Sequence, residues 1–293
     1  MQAVQTLLHG LIDYAGLFPP AGLDMPTTVA NYAQYRREPH AWLLGRFVTP
    51  AARLDQFADA AAPHLTPSGD PWRVSVLASG QLAAEVAAIA AFNQQHAGAA
   101  LIDTIELKAA EASEIAQALR LLPADLTAYV ELPLGAALDE LIATLARLGG
   151  RAKVRTGGVT PEMFPGSGDL ARFIVACVRA RVPFKATAGL HHPLRAIQRL
   201  TYAPDSPSAM MYGFLNVFLA AAFAQTGMAP TDVAQALEER DPSAFQFDQD
   251  GVRWRDQRVT LDTLAHARQH VALSFGSCSF REPVDDLKAM HLL

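Results

Sequence analysis

Residues 151–189 read RAKVRTGGVTPEMFPGSGDLARFIVACVRARVPFKATAG. Two segments of one design bracket this stretch: RAKVRTGG at 151–158 and PFKATAG at 183–189. Each carries charge on alternate residues and stops at glycine. Alternation along a strand puts Lys153 and Arg155 on one face. By the same rule Lys185 and Thr187 share a face, and Phe184 and Ala186 take the other. The run between them, Leu170 to Arg181, has helical spacing and strong helix formers. A strand–helix–strand unit with a charged strand face suits the active end of an α/β barrel. A flat sheet buried on both faces would carry Val and Ile at those positions.

Working outward, the same alternation recurs. Leu11–Gly16 reads as a first strand and Pro26–Glu38 as a helix with proline near its first turn. Trp42–Thr49 reads as a strand and Ala51–Ala62 as a helix, followed by a surface loop over His64–Pro71. Strands follow at Trp72–Ala78, Ile102–Ala109 and Thr127–Leu134, and helices at Gln81–His96, Glu111–Leu121 and Ala136–Leu148. A repeat of roughly 25–35 residues with this order argues a parallel sheet joined by right-handed crossovers. Seven strands are counted to Gly189, and an eighth closes a barrel. Gly213–Phe218 continues into the apolar run 219–223 and reads as part of a helix. Val271–Gly276, after a helix at Leu261–His270, is the better eighth strand. The fold class expected is therefore α/β, a (β/α)8 TIM-type barrel. One domain over 1–293 is the economical reading, with helices and a hairpin inserted at about 207–260, before the last strand. Phe245–Trp254 alternates around Asp250-Gly251, which signals that hairpin. Its aromatics serve either a homo-oligomer contact or packing back onto the barrel.

The strand faces carry Glu106, Lys108, Glu131, Lys153, Arg155 and Lys185, with Arg46 joining from the second strand. Buried charge is tolerated only when paired and seldom adds stability. A structural ion-pair network is one reading of the set. The other is a polar cavity at the strand C-termini, where such barrels do their chemistry. The surplus of cations points to a small anionic substrate, a phosphate or a carboxylate, with Arg155, Lys108, Arg46 and Thr187 as binding groups. A lysine crowded by other cations loses its proton more readily, and a neutral amine is a nucleophile for carbonyl carbon. Lys185 and Lys153 are the candidate nucleophiles, with Glu106 or Glu131 moving protons. For either lysine, the alternative is a cation that simply holds substrate.

VRTGG, FKATAG and SFGSCS, in that order, resemble the last three strand ends of deoxyribose-phosphate aldolase and its class I aldolase relatives. The resemblance implies a (β/α)8 barrel forming a Schiff base between lysine and a carbonyl substrate. It implies that Lys185 is the seventh-strand lysine that tunes its neighbour. Gly276, Ser277 and Ser279 match a turn whose backbone N–H groups hold a substrate phosphate, with Cys278 a small residue inside it. The sequence departs from the pattern at Arg155, which stands at the position matched to the Schiff-base lysine and cannot be the nucleophile. Lys153, two residues earlier on the same face, and Lys185 are the remaining amines. The phrases DYAGLFPPA and FGSCSFREPVDDL are similar to uncharacterised bacterial proteins, a likeness that implies no activity.

His191 and His192 follow the seventh strand and belong over the barrel mouth, His191 as an acid–base group and His192 as a substrate contact or an exposed residue. The pair lacks HxH or HxxxH spacing, and lysines lining a site oppose a dication, so no metal is expected. Cys278 is either a packed small residue or a thiol nucleophile with His191 as its base. Cys177, mid-helix among Phe173, Ile174 and Val178, reads as core. Asp13 and Tyr14 are weaker site candidates. Asn216, in an apolar helix, either reaches the site or is satisfied by backbone. No dinucleotide fingerprint or Walker loop is present, and no cofactor is expected.

The net charge of −5 gives no reason to expect nucleic acid or a membrane surface as partner. Two cysteines are too few for a disulfide framework, and the N-terminus lacks a basic segment before its apolar residues. A cytoplasmic location is therefore expected. Phe214–Ala224 is too short to span a bilayer and reads as a buried helix. Three functions remain open on this reading. They are an aldolase-like lyase, a metal-independent isomerase or hydrolase using His/Glu acid–base groups with a Lys/Arg clamp, and a non-catalytic binding protein on a degenerate barrel.

Overall fold

The computed structural model describes residues 1–67 and 69–293; Ser68, inside the expected 64–71 loop, lies outside the described residues. The chain begins with α1 (Gln2–Leu8) and β1 (Ile12–Tyr14), then α2 (Met25–Tyr35), β2 (Leu44–Pro50), α3 (Leu54–Ala61) and β3 (Trp72–Leu77). It continues with α4 (Leu82–Gln95), β4 (Ala100–Lys108), α5 (Ala112–Leu121), β5 (Thr127–Glu131), α6 (Leu138–Leu148) and β6 (Arg151–Arg155). Next come α7 (Ser167–Ala180), β7 (Phe184–Thr187), β8 (Ala196–Arg199), β9 (Ser208–Met211), α8 (Phe214–Gln225) and α9 (Pro230–Glu238). The chain ends with β10 (Phe245–Phe247), β11 (Gly251–Trp254), β12 (Gln257–Thr260), α10 (Leu261–His270), β13 (Ala272–Ser277) and α11 (Arg281–Ala289).

Eight strands close into a barrel in the order β1-β13-β7-β6-β5-β4-β3-β2, every neighbouring pair parallel. This is a (β/α)8 barrel, and β13 is its eighth strand, as the VALSFG segment predicts. Alternation sorts the side chains. On β6, Ala152 and Val154 are fully buried, while Lys153 and Arg155 face the cavity at the barrel mouth. On β7, Phe184 packs edge-on to Phe173 of α7, leaving Lys185 and Thr187 to face the same cavity.

The helices form for local reasons. In α6, Leu138, Leu141, Ile142 and Leu145 fall at helical spacing and are buried, and Asp139 and Glu140 sit in the first turn, where the dipole favours them. The helix ends at Gly149, whose φ of 73° suits glycine. Every residue of α8 from Phe214 to Ala224 is buried, so it is an all-round core helix. Phe214 stacks on Phe275 of β13 at a centroid distance of 5.2 Å. Among the described residues no helix is long and apolar enough to cross a membrane.

The insertion before β13 holds α8, α9 and a three-stranded antiparallel sheet, β10-β11-β12. The expected hairpin is present, with β12 as an added third strand. Its aromatics are not exposed: Trp254 is 1% accessible, lies 6.0 Å from Phe223 of α8, and donates from Nε1 to Glu239. Burying the indole against α8 removes more apolar surface from water than leaving it at the surface. Trp254 and Phe245 therefore face inward, and Phe247 is half-buried. A second hairpin, β8–β9, was not foreseen and follows the His191-His192 turn.

Asn216 is satisfied by backbone. Its Oδ1 accepts from Arg195 N, and its Nδ2 donates to the carbonyls of Ala236 and Glu239, tying α8 to the end of α9. Asn216→Leu keeps the volume but removes all three bonds, one of them buried and two part-buried. It should lower the unfolding free energy by about 3 kcal/mol or more in urea denaturation. A loss below about 1 kcal/mol would show that the three bonds are replaceable by water or relaxation.

Candidate active site

The C-terminal ends of the barrel strands enclose a cavity of about 370 Å³. Glu106, Lys108, Glu131, Lys153, Arg155 and Lys185 all line it, joined by Thr187, Gly276, His191 and Cys278. Apolar residues such as Phe18, Leu77, Met163, Leu200 and Met211 complete the wall. Leu200 and Met211 come from the β8–β9 hairpin, which thus contributes to the mouth. The turn after β7 needs glycine: Gly189 has φ +71°, and a Cβ there would meet the Gly157 Cα at 2.8 Å. This close approach, with Thr156 Oγ1 donating to the Ala188 carbonyl, brings the ends of β6 and β7 together.

On the floor, charges alternate. Lys185 is 1% accessible and donates to Asp13 Oδ2 and to Glu106 Oε1, both at 2.7 Å. Lys153 Nζ lies 2.9 Å from Glu106 Oε2 and 3.0 Å from Glu131 Oε2. Arg155 Nε donates to Glu131 Oε1 at 3.2 Å. Register explains the level of these groups: Lys153 and Lys185 are direct partners across β6 and β7, and Glu131 partners Lys153 across β5 and β6. Lys153, not Arg155, is therefore the β6 cation level with Lys185. Ser75 donates to Glu106 and Ser274 to Asp13, using further carboxylate lone pairs. The Tyr129 ring lies 5.5 Å from Lys185 Nζ.

The two lysines are held differently. Lys185 has directed hydrogen bonds on both sides. Lys153 stands beside Glu131 at ion-pair distance, yet Glu131 Oε2 is a buried atom with no hydrogen-bond partner. Lys153 thus stands between Glu106 and Glu131 and lines the cavity.

Crowding among cations was expected to strip a lysine of its proton. For Lys185 the structure reverses that. Burial alone would favour the neutral amine, but Asp13 and Glu106 outweigh it and hold the ammonium above the ordinary lysine range. Carboxylates are interposed between the cations, so the nearest charges are opposite ones. Burial pushes Glu106 up, but Lys185 and Lys153 outweigh it and hold the carboxyl well below the usual range. Burial likewise pushes Glu131 up, and Lys153, then Arg155 and Lys108, bring it below its ordinary value.

Folded values below the unfolded ones mean that these carboxylates add stability fully only above about pH 4.3, the ordinary glutamate value. That contribution is lost as pH falls through the depressed folded values. Unfolding in urea at pH 3 rather than pH 7 should show a loss on the order of 2 kcal/mol or more. A flat profile between those pH values would contradict the ion-pair network.

Several expected site residues lie elsewhere. Arg46 sits near the start of β2, at the opposite end of the barrel, where Nε and Nη2 bind the two oxygens of Asp103 at 2.8 Å each. Arg73 also binds Asp103. Arg46 thus closes the barrel floor and does not reach the cavity, because strand position, not face alone, decides which end a side chain serves. Ser277 and Ser279 do not line the cavity. Ser277 Oγ accepts from Ser279 N, and Ser279 Oγ accepts from Glu282 N, so both hydroxyls shape the turn into α11. Gly276 does line the cavity, beside Thr187. His192 lies in a neighbouring cleft, with Nδ1 2.6 Å from Asp286 Oδ2. Lys108 is exposed at the rim.

His191 reaches the cavity. Its Nδ1 lies 2.9 Å from Glu282 Oε2 and its Nε2 lies 4.0 Å from Cys278 Sγ. Burial alone would pull His191 down; the hydrogen bonds to Cys278 and Glu282 outweigh that and push it up to about 9. Among the described residues, no three His, Cys, Asp or Glu side chains are grouped to hold a metal ion.

Sequence reasoning undervalued Asp13 and missed Ser75, Ser274, Tyr202 and Glu282. An acid inside the apolar segment LIDYAG was the available signal for Asp13. The serines carry none, being ordinary strand residues. Glu282 lies in a helix after the last strand, and only the packing of α11 over the mouth brings it to His191.

The fold and site define a (β/α)8 barrel with a charged cavity at the C-terminal ends of its strands, an architecture commonly enzymatic. No family model matches the chain, and no curated protein matches it.

Proposed function

We propose that the protein is a lyase of aldolase type, acting on a small anionic carbonyl compound, phosphorylated or not, through the amine of Lys153. The observation that carries this reading is the contrast between the two lysines. Lys185 is locked as an ammonium between Asp13 and Glu106. Lys153 lines the cavity at the same level, with Glu106 and Glu131 at ion-pair distance to take its proton.

The roles follow from the charges. Lys153 hands its proton to Glu131 or Glu106 and attacks the carbonyl carbon. The N–C bond forms, the carbonyl oxygen takes up protons and leaves as water, and an iminium remains. The iminium takes the electron pair of the Cα–Cβ bond as that bond breaks, leaving an enamine, while a carboxylate removes the proton of the β-hydroxyl, which becomes the carbonyl of the first product. Protonation of the enamine and hydrolysis by water then release the second product and free the Lys153 amine. Lys185 keeps its proton throughout and screens Glu106, so that Glu106 does less to hold the Lys153 proton. Arg155 and Lys108 at the rim bind the substrate anion. The resemblance to class I aldolases points to the same chemistry, with Lys153 supplying the amine that Arg155 cannot.

Borohydride trapping tests this. The protein is incubated with a panel of small aldehydes and keto acids, phosphorylated and not, then reduced and mapped by peptide mass. An adduct on Lys153, absent in Lys153→Arg, is the expected result. Turnover of panel compounds that survives Lys153→Arg, with no adduct formed, would sink the amine. It would leave the isomerase or hydrolase reading, favoured by the placement of His191 in the cavity.

A further inference from the structure

We propose that Cys278, His191 and Glu282 form a second covalent site in this cavity, a thiol that adds reversibly to the aldehyde carbon of a small carboxylate-bearing ligand. The proposal goes beyond the amine chemistry and does not depend on it.

Three elements build the arrangement. Cys278 follows β13, and both it and His191 line the cavity. Cys278 Sγ lies 4.0 Å from His191 Nε2, and His191 Nδ1 lies 2.9 Å from Glu282 Oε2. Glu282 is itself positioned: it accepts from the Tyr202 hydroxyl at 3.1 Å, and its backbone N–H is bound by Ser279 Oγ. Thiol, base and orienting carboxylate in this order are what an activated nucleophile requires. The other cysteine supplies the contrast. Cys177 is fully buried mid-helix in α7, and burial pushes its thiol well above the ordinary range.

The groups facing Cys278 come from four places. His191 follows β7, Glu282 lies on α11, Tyr202 lies in the β8–β9 connection and Tyr14 lies on β1. Burial, first of all, raises both phenols, Tyr14 to about 12, so both are neutral near pH 7. His191, at about 9, is then the cation beside the sulfur, with Glu282 behind it. An adjacent imidazolium favours thiolate. The cations Arg155 and Lys108 in the same cavity favour a ligand that carries a carboxylate.

The step balances without a further reactant. In the pair the shared proton already stands on His191 Nε2, and sulfur forms a bond to the aldehyde carbon. The carbonyl π bond opens, and its oxygen takes that proton, leaving His191 neutral. The product is a thiohemiacetal, and the reverse path releases the aldehyde.

The test is iodoacetamide alkylation of the full chain, read at Cys278 by peptide mass as a function of pH. There the S–C bond forms and iodide leaves. At pH 6.5, His191→Gln should label at least about 10-fold more slowly than the wild type, and Glu282→Gln should label at a rate between the two, as expected of a positioning residue. Glyoxylate should slow labelling reversibly in the wild type and should still do so in Lys153→Arg. That second arm separates this site from the amine. Wild-type labelling no faster than that of His191→Gln would overturn the proposal, as would labelling in Lys153→Arg that glyoxylate leaves unchanged. If His191→Gln fails to fold, Glu282→Gln and the glyoxylate arm still decide.

Discussion

Lys185→Met should lose about 3–5 kcal/mol of unfolding free energy at pH 7. Methionine is of similar length, so little cavity opens. The cost is electrostatic: Asp13 and Glu106 lose the ammonium that each binds at 2.7 Å. Lys185 is 1% accessible, so water cannot readily replace it. Ser274 and Ser75 still donate to the two carboxylates but supply no charge. Urea denaturation measures the effect. The deficit should shrink between pH 7 and pH 4.5, because the stranded carboxyls then take up protons. Arg155→Met is the contrast. Its side chain is 38% accessible, and its pair with Glu131 is worth at most about 1 kcal/mol. Equal losses in the two variants would mean that burial does not govern the strength of this network.

Lys153→Arg should reduce turnover of a trapped substrate by about 1000-fold or more, the scale of losing a covalent nucleophile. Arginine preserves the positive charge between Glu106 and Glu131 but never supplies a neutral amine. Stability should change far less than turnover, which an unfolding curve on the same sample checks. Arg155→Met should instead raise KM about 10-fold with kcat nearly kept, the signature of lost substrate binding. If Lys153→Arg raises KM while kcat survives, Lys153 is a clamp and the lyase reading fails.

Much of this arrangement was legible in the chain itself. A period of two in RAKVRTGG and FKATAG determines which residues share a face, and both faces are as read. Strand–helix alternation and the segment VALSFG after a helical run lead to eight strands and closure. These are local properties, set by the pleat and by helical spacing, so a linear reading captures them.

Partnership is not local. Asp13 meets Lys185 across 172 positions of sequence because barrel closure puts β1 beside β13 and β13 beside β7. Glu106 lies between the two lysines only because β4 reaches across the lumen from β6 and β7. Face alone could not tell Arg46, at the floor, from Arg155, at the mouth. Nor could composition reveal that the cations are separated by carboxylates, which turns an expected proton loss at Lys185 into a firmly held ammonium. The Cys278–His191–Glu282 array likewise depends on α11 folding over the barrel end. Periodicity decides where a side chain points; register and closure decide what it meets, and the charge state of each group follows from what it meets.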